Sequence, residues 1–171
     1  MARHVAVLVE QSYQELEVWY PIYRLREAGV SVTVVGTGSS PEYPSKLGYP
    51  CKADVAIDQV DAADFDGVII PGGWAPDFLR RYPRINQFVA DLNRAGKVVA
   101  AICHGGWVPC SADILKGKRA TSFFAIKDDM IHAGCQWVDE ETVVDGNLIT
   151  ARKPDDLPAF MKAVLSALGV S

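Results

Sequence analysis

The chain has 171 residues, and a chain of about 150 already buries roughly two-thirds of its unfolded surface, so one sizeable core is attainable. Hydrophobic residues make up 49% and charged residues 22%, a globular balance that excludes disordered and bilayer-embedded classes. A formal net charge of −4 with no Lys/Arg run gives no electrostatic basis for binding nucleic acid or an anionic membrane.

His4 to Val9 is a short, nearly continuous apolar run, as a parallel strand covered on both faces requires. With Met1-Ala2-Arg3 ahead of it, the run is too short for a signal-peptide core, and a cytoplasmic protein is expected. Residues 15 to 28 are predicted helical and stop at Gly29. Pro21 lies inside that segment and cannot donate to the Glu17 carbonyl, which predicts a bend or a late helix start. Val30 to Val35 is a second strand, residues 39 to 52 a loop or small hairpin, and Val55 to Ile57 a short strand. Phe65 to Ile70 reads as a buried strand opening into Pro71-Gly72-Gly73.

Pro83 to Ala95 is predicted as a helix stopped by Gly96. Lys97 to Ile102 is the most apolar strand, and it breaks at Cys103-His104-Gly105-Gly106 before a helix running to about Leu115. Arg119 to Ser122 is a candidate strand and Ile126 to Ala133 a short helix. Val143 to Ile149 carries a hairpin signature around Asp145-Gly146, and Pro154 precedes a last amphipathic helix, Leu157 to Leu168. Strands alternating with helices define an α/β fold, one domain over residues 1–171, with a mostly parallel sheet covered on both faces. Ligands in such sheets bind at the carboxyl ends of the strands. Attention therefore falls on the residues after Val9, Ile70 and Ile102.

Cys51, Cys103, Cys110 and Cys135 show no CxxC spacing, and only His4, His104 and His132 stand beside them. Reduced thiols are expected, with no metal and no other cofactor. His132 and His4 read as surface or packed residues, Asp128-Asp129 as a solvated helix face or a subunit contact, and the other three cysteines as inert.

Cys103 differs from those three. It stands where an apolar strand turns into a helix, followed by two glycines that permit a tight turn and close backbone approach. This is the pattern of a nucleophile elbow, and the free N–H groups of the following helix are expected to favour the thiolate. Pro71-Gly72-Gly73 offers the Gly72 and Gly73 N–H groups to an oxyanion beside the thiol, joined by that of His104. Glu17, just after the first strand, is the candidate acid.

Those residues, taken with others, resemble the DJ-1/PfpI superfamily and, within it, the PfpI-type intracellular protease branch. The resemblance rests on Glu17 to Pro21, Phe65 to Gly73 and Ala101 to Gly105. It continues through Leu115 to Lys118, Ile126 to Met130, Gly134 to Val138 and Val143 to Asn147, in the family's order. It implies a flavodoxin-like three-layer α/β/α sandwich with Cys103 as nucleophile and Glu17 against it. It also implies a homodimer or higher oligomer, possibly a hexamer, in which Asp77 reaches His104 of a neighbouring subunit. Gln14, Leu47 and Phe123 depart from the branch, which often has a carboxylate, histidine and tyrosine there, so fewer proton donors are expected in an aromatic pocket with Trp74 and Trp107.

Three functions follow from the resemblance and from thiol chemistry. One is stress-protective work on reactive carbonyls: conversion of methylglyoxal or glyoxal, or deglycation. The second is an intracellular cysteine peptidase with a cross-subunit Cys103–His104–Asp77 triad acting on peptides. The third is a redox sensor or chaperone. Consecutive residues normally point in different directions, so His104 serves Cys103 only if the turn is strained.

Overall fold

The computed structural model describes residues 3–171; Met1 and Ala2, part of the N-terminal expectation, lie outside the described residues. In chain order the first strands are β1 (His4–Val9), β2 (Ser31–Gly36), β3 (Glu42–Pro44), β4 (Pro50–Lys52), β5 (Val55–Ala56) and β6 (Gly67–Ile70). They are followed by β7 (Val98–Ile102), β8 (Arg119–Ala120), β9 (Gln136–Trp137), β10 (Thr142–Asp145) and β11 (Leu148–Ala151). The helices are α1 (Glu15–Glu27), α2 (Ala75–Leu79), α3 (Pro83–Arg94), α4 (Trp107–Ser111), α5 (Lys127–His132) and α6 (Leu157–Leu168).

Seven strands form the main sheet in the order β10-β11-β7-β6-β1-β2-β5, with every neighbouring pair parallel except β10–β11. Helices α1 and α6 pack together on one face, and α3 and α4 on the other. The central strands β1, β6 and β7 are therefore covered twice. That is why Val5 to Val9 and Val98 to Ile102 are apolar without alternation and are buried along their length. The carboxyl ends of β1, β6 and β7 lie side by side in the sheet, and there the loop after β1 meets the two glycine-marked turns that follow β6 and β7.

Several expectations need correction. Helix α1 starts at Glu15 and runs through Pro21 without a break, so the Glu17 carbonyl is left without its usual donor four residues on. The helix after the elbow ends at Ser111, not near Leu115, because Asp113 adopts a left-handed φ of 55° that turns the chain out of the helix. Arg119–Ala120 joins Gln136–Trp137 in a separate parallel pair, and β9 was not anticipated. The 39–52 segment does hold a hairpin, β3 with β4.

Candidate active site

The β7–α4 junction places Cys103 at a strained corner. Its φ is +61°, a left-handed value that a non-glycine residue occupies only when its surroundings hold it there. The strain therefore sits on the cysteine, and Gly105 serves a different purpose. A methyl group at Gly105 would come 2.5 Å from the Ile70 carbonyl oxygen, so its absence lets the turn press onto the end of β6. The same corner swings His104 back toward its neighbour: Cys103 Sγ and His104 Nδ1 are 3.3 Å apart.

Glu17 reaches the thiol from the first turn of α1. Gln14 caps that helix, its side-chain oxygen accepting the Glu17 N–H at 2.9 Å, which anchors the residue. The Glu17 carboxyl is fully buried, and neither oxygen has a hydrogen-bond partner of good geometry. A methyl group on Gly72 would stand 2.8 Å from Glu17 Oε1 and 3.1 Å from Cys103 Sγ, so acid and thiol flank the same glycine. Only a residue without a side chain fits between them.

Burial drives the electrostatics. It raises the Glu17 pKa from 4.5 to about 8, against the opposing pull of the Gly72 N–H, Lys46 and the Cys103 thiol. At neutral pH the acid holds its proton. Burial and then the charge on Glu17 push the Cys103 thiol up to about 12, while the His104 and Gly73 N–H groups pull it down. This reverses the direction expected from a helix N-terminus. The turn after Cys103 is a four-residue 3₁₀ segment followed by a five-residue helix, too short a dipole to offset burial. The charge on Glu17 disappears once that carboxyl is protonated, and the O–H it gains can then donate toward sulfur. His104, half-buried, is held below its ordinary pKa by burial and by Lys46, which keeps it a neutral base.

The N–H groups divide. Those of Gly73 and His104 act on the Cys103 thiol, holding its pKa down, whereas that of Gly72 acts on the Glu17 carboxyl instead. Gly73 has a φ of +70°, and a methyl group there would strike the Ser12 carbonyl at 2.5 Å. That close approach ties the β6 turn to the loop after β1, with the Trp74 N–H donating to Ser12 O at 2.9 Å.

The thiol opens into a cavity of about 200 Å³ lined by Gln14, Lys46, Gly73, Trp74, His104, Phe123, Lys153 and Pro154. The His104 ring stacks on Phe123 at 5.0 Å and packs against Trp74 and Trp107; Trp74 and Phe123 line the cavity, whereas Trp107, expected there, stands outside its lining. Leu47 does not line this cavity, contrary to expectation. It is 86% exposed and belongs to a larger apolar groove with Leu16, Trp19, Tyr23 and Tyr49 that holds no nucleophile. Lys46 and Lys153 were missed by sequence reasoning, since a loop lysine carries no local signature of a site.

Asp77 sits on α2, half exposed, with its Oδ2 accepting from Arg81 at 2.7 Å. No hydrogen bond or ion pair joins it to His104 among the described residues of this chain. Asp129 is not merely solvated, because it accepts the Trp107 indole N–H at 2.7 Å. Cys51 and Cys135 are buried and Cys110 half-buried, while His132 is exposed. Among the described residues no cluster of His, Cys, Asp or Glu is placed to hold a metal ion, and no helix is long and apolar enough to cross a membrane.

A parallel α/β sandwich with a cysteine at a positive-φ strand–helix corner and a buried carboxyl beside it defines the class of cysteine-elbow proteins. Comparison with known proteins makes the assignment specific: the DJ-1/PfpI family model matches residues 3–167, and the chain belongs to that family. A Bacillus subtilis relative named as a candidate cysteine protease, YraA, is 41% identical over 98% of this chain and 99% of its own. The protein named deglycase PfpI of Pyrococcus furiosus is 37% identical over 96% of this chain and 98% of its own. The crystal structure of a two-domain protein from Anabaena variabilis, with DJ-1/ThiJ/PfpI-like and ferritin-like domains, superposes with a TM-score of 0.95 at 45% identity. That match covers 98% of this chain and 48% of the other. The fold is the flavodoxin-like α/β sandwich of this family.

Proposed function

We propose that the chain is a stress-protective enzyme that uses Cys103 to attack small reactive carbonyls such as methylglyoxal and glyoxal, or their early adducts on proteins. The observation that carries this reading is the buried Glu17 carboxyl, without a well-formed hydrogen bond, beside a thiol that opens into a cavity of only about 200 Å³. A three-carbon dicarbonyl fits such a space, whereas drug-sized ligands occupy about 300–1,000 Å³. The name of the Pyrococcus relative agrees with it.

The chemistry balances without an external oxidant. His104 takes the thiol proton as Sγ bonds to the aldehyde carbon, and Glu17 gives its proton to the aldehyde oxygen. The Glu17 carboxylate then removes the hydrogen from that carbon, and protonated His104 neutralises the neighbouring oxygen, leaving an enediol bonded to sulfur. Glu17 returns its proton to the neighbouring carbon and His104 takes the hydroxyl proton, which gives a thioester. Water attacks the thioester, passes a proton to Glu17 and breaks the C–S bond, and His104 reprotonates the thiolate. One carbon is oxidised and its neighbour reduced, so methylglyoxal and water become lactate. The Gly73 and His104 N–H groups support the oxygen that gathers charge on the thioester.

The 3.3 Å contact between Cys103 and His104 favours a second reading, peptide hydrolysis, for which Asp77 of a neighbouring copy would orient the imidazole. The exposed Leu16, Tyr23, Leu47 and Tyr49 side chains supply an apolar surface for such a homo-oligomer. Assaying lactate from methylglyoxal and fluorescence from a quenched peptide, each beside Cys103→Ala, separates the two. Lactate formation that depends on Cys103 supports the carbonyl reading. Its absence, with peptide cleavage present, replaces that reading with the peptidase.

A further inference from the structure

Two lysines from separate elements line the Cys103 cavity. Lys46 comes from the β3–β4 loop, held there by its backbone N–H donating to Tyr13 O at 2.9 Å. Lys153 follows β11, the strand beside the one that carries Cys103. Both side chains are exposed, and neither forms an ion pair among the described residues. Neighbouring charges are already committed: Arg152 pairs with Asp139 and Asp156, and Asp77 with Arg81. Glu15 lines the apolar groove and accepts the Leu47 N–H at 2.9 Å. Glu17 lies behind Gly72, where burial favours its uncharged form. The cavity thus has an aromatic wall, one nucleophile and two lysines without a direct ion-pair partner among the described residues, Lys46 sharing its field with the nearby Glu15 carboxylate.

We propose that Lys46 and Lys153 make this an anion-selecting site, so that its preferred substrate is a short 2-oxoaldehyde bearing a carboxylate. This deepens the carbonyl reading and takes its chemistry from it; the bond changes are those written above, with the carboxylate a spectator. Two cations at the entrance draw in an anionic carbonyl and orient its aldehyde end toward sulfur. The same field disfavours adducts on arginine side chains, which keep a positive charge.

Alkylation of Cys103 tests the charge preference without any turnover. Anionic iodoacetate and neutral iodoacetamide are compared at the Cys103 peptide by mass spectrometry, in the native protein and in Lys46→Gln/Lys153→Gln. The iodoacetate-to-iodoacetamide rate ratio is expected to fall about threefold to tenfold in the double variant and to fall with added salt in the native protein. Lys162→Gln, on α6, is expected to keep the native ratio. In parallel, kcat/KM for 4,5-dioxopentanoate relative to methylglyoxal drops by a similar factor in the double variant. An alkylation ratio identical in native protein and double variant overturns the proposal. A shifted alkylation ratio with neither dicarbonyl turned over keeps the anion site and removes the carbonyl reading instead.

Discussion

Cys103 and His104 are adjacent in the chain, yet their Sγ and Nδ1 atoms stand 3.3 Å apart because the cysteine φ of +61° folds the second side chain back over the first. A thiol raised by burial therefore has a neutral base within reach, and proton transfer can accompany attack on a carbon. His104→Gln keeps a polar side chain of similar reach but cannot hold the proton. Cys103-dependent lactate formation is expected to fall about 10²-fold or more, with the Tm little changed.

The empty space at Gly72 is as specific as the side chains around it. Gly72→Ala places a methyl 2.8 Å from both Cys103 Cβ and Glu17 Oε1, so the acid and thiol must part. Overpacking of this kind costs about 1–3 kcal/mol. Turnover is expected to fall by more than about tenfold, since small displacements of reacting groups cost rate steeply. Thermal unfolding beside steady-state kinetics separates the two effects.

Gly105→Ala makes a different case, because the obstacle is the Ile70 carbonyl at 2.5 Å and backbone cannot swing aside. The expected result is a loss of about 1–3 kcal/mol, a Tm several degrees lower, and a Cys103 alkylation rate altered as the corner relaxes.

Much of this was legible in the sequence, for reasons that differ by residue. Cys103, Gly72 and Gly73 stand where apolar strands stop at glycines, and in a parallel sheet those ends converge. Residue types and spacing were therefore enough to bring them together. The His104 contact was not legible, because it depends on one backbone dihedral that consecutive residues rarely adopt. Lys46 and Lys153 sit in loops beyond β3 and β11, and only the tertiary fold brings them to one cavity. The pair β8–β9 has two residues in each strand, below the length at which alternation is readable. The direction of the Cys103 pKa was misjudged because helix-end electrostatics were visible in the pattern and burial was not.

Glu17 ties stability to pH. Its pKa rises from 4.5 in the unfolded chain to about 8 in the fold, so the native state holds a proton that the unfolded chain releases. The stabilisation is complete below about pH 4.5 and is lost as the pH climbs through about 8. Glu17→Gln is neutral throughout. Its Tm relative to the native protein is therefore expected to rise from about pH 5 and to level off above about pH 8, read by thermal melts across that range.

Asp77 distinguishes the two catalytic readings. Asp77→Ala breaks only an exposed pair with Arg81, worth less than about 1 kcal/mol. Peptide cleavage is expected to fall more than about tenfold, the size of a lost orienting group, while lactate formation stays within about twofold. Peptide turnover unchanged by the substitution removes the cross-subunit triad.

The protonation state of Glu17 is the point from which the rest follows. Infrared difference spectra, native protein minus Glu17→Gln, titrated from acid to alkaline pH, read that one carboxyl directly. A protonated carbonyl stretch that persists through neutrality and disappears near pH 8 is the predicted result. A carboxylate stretch already complete at pH values near the ordinary 4.5 would contradict the account.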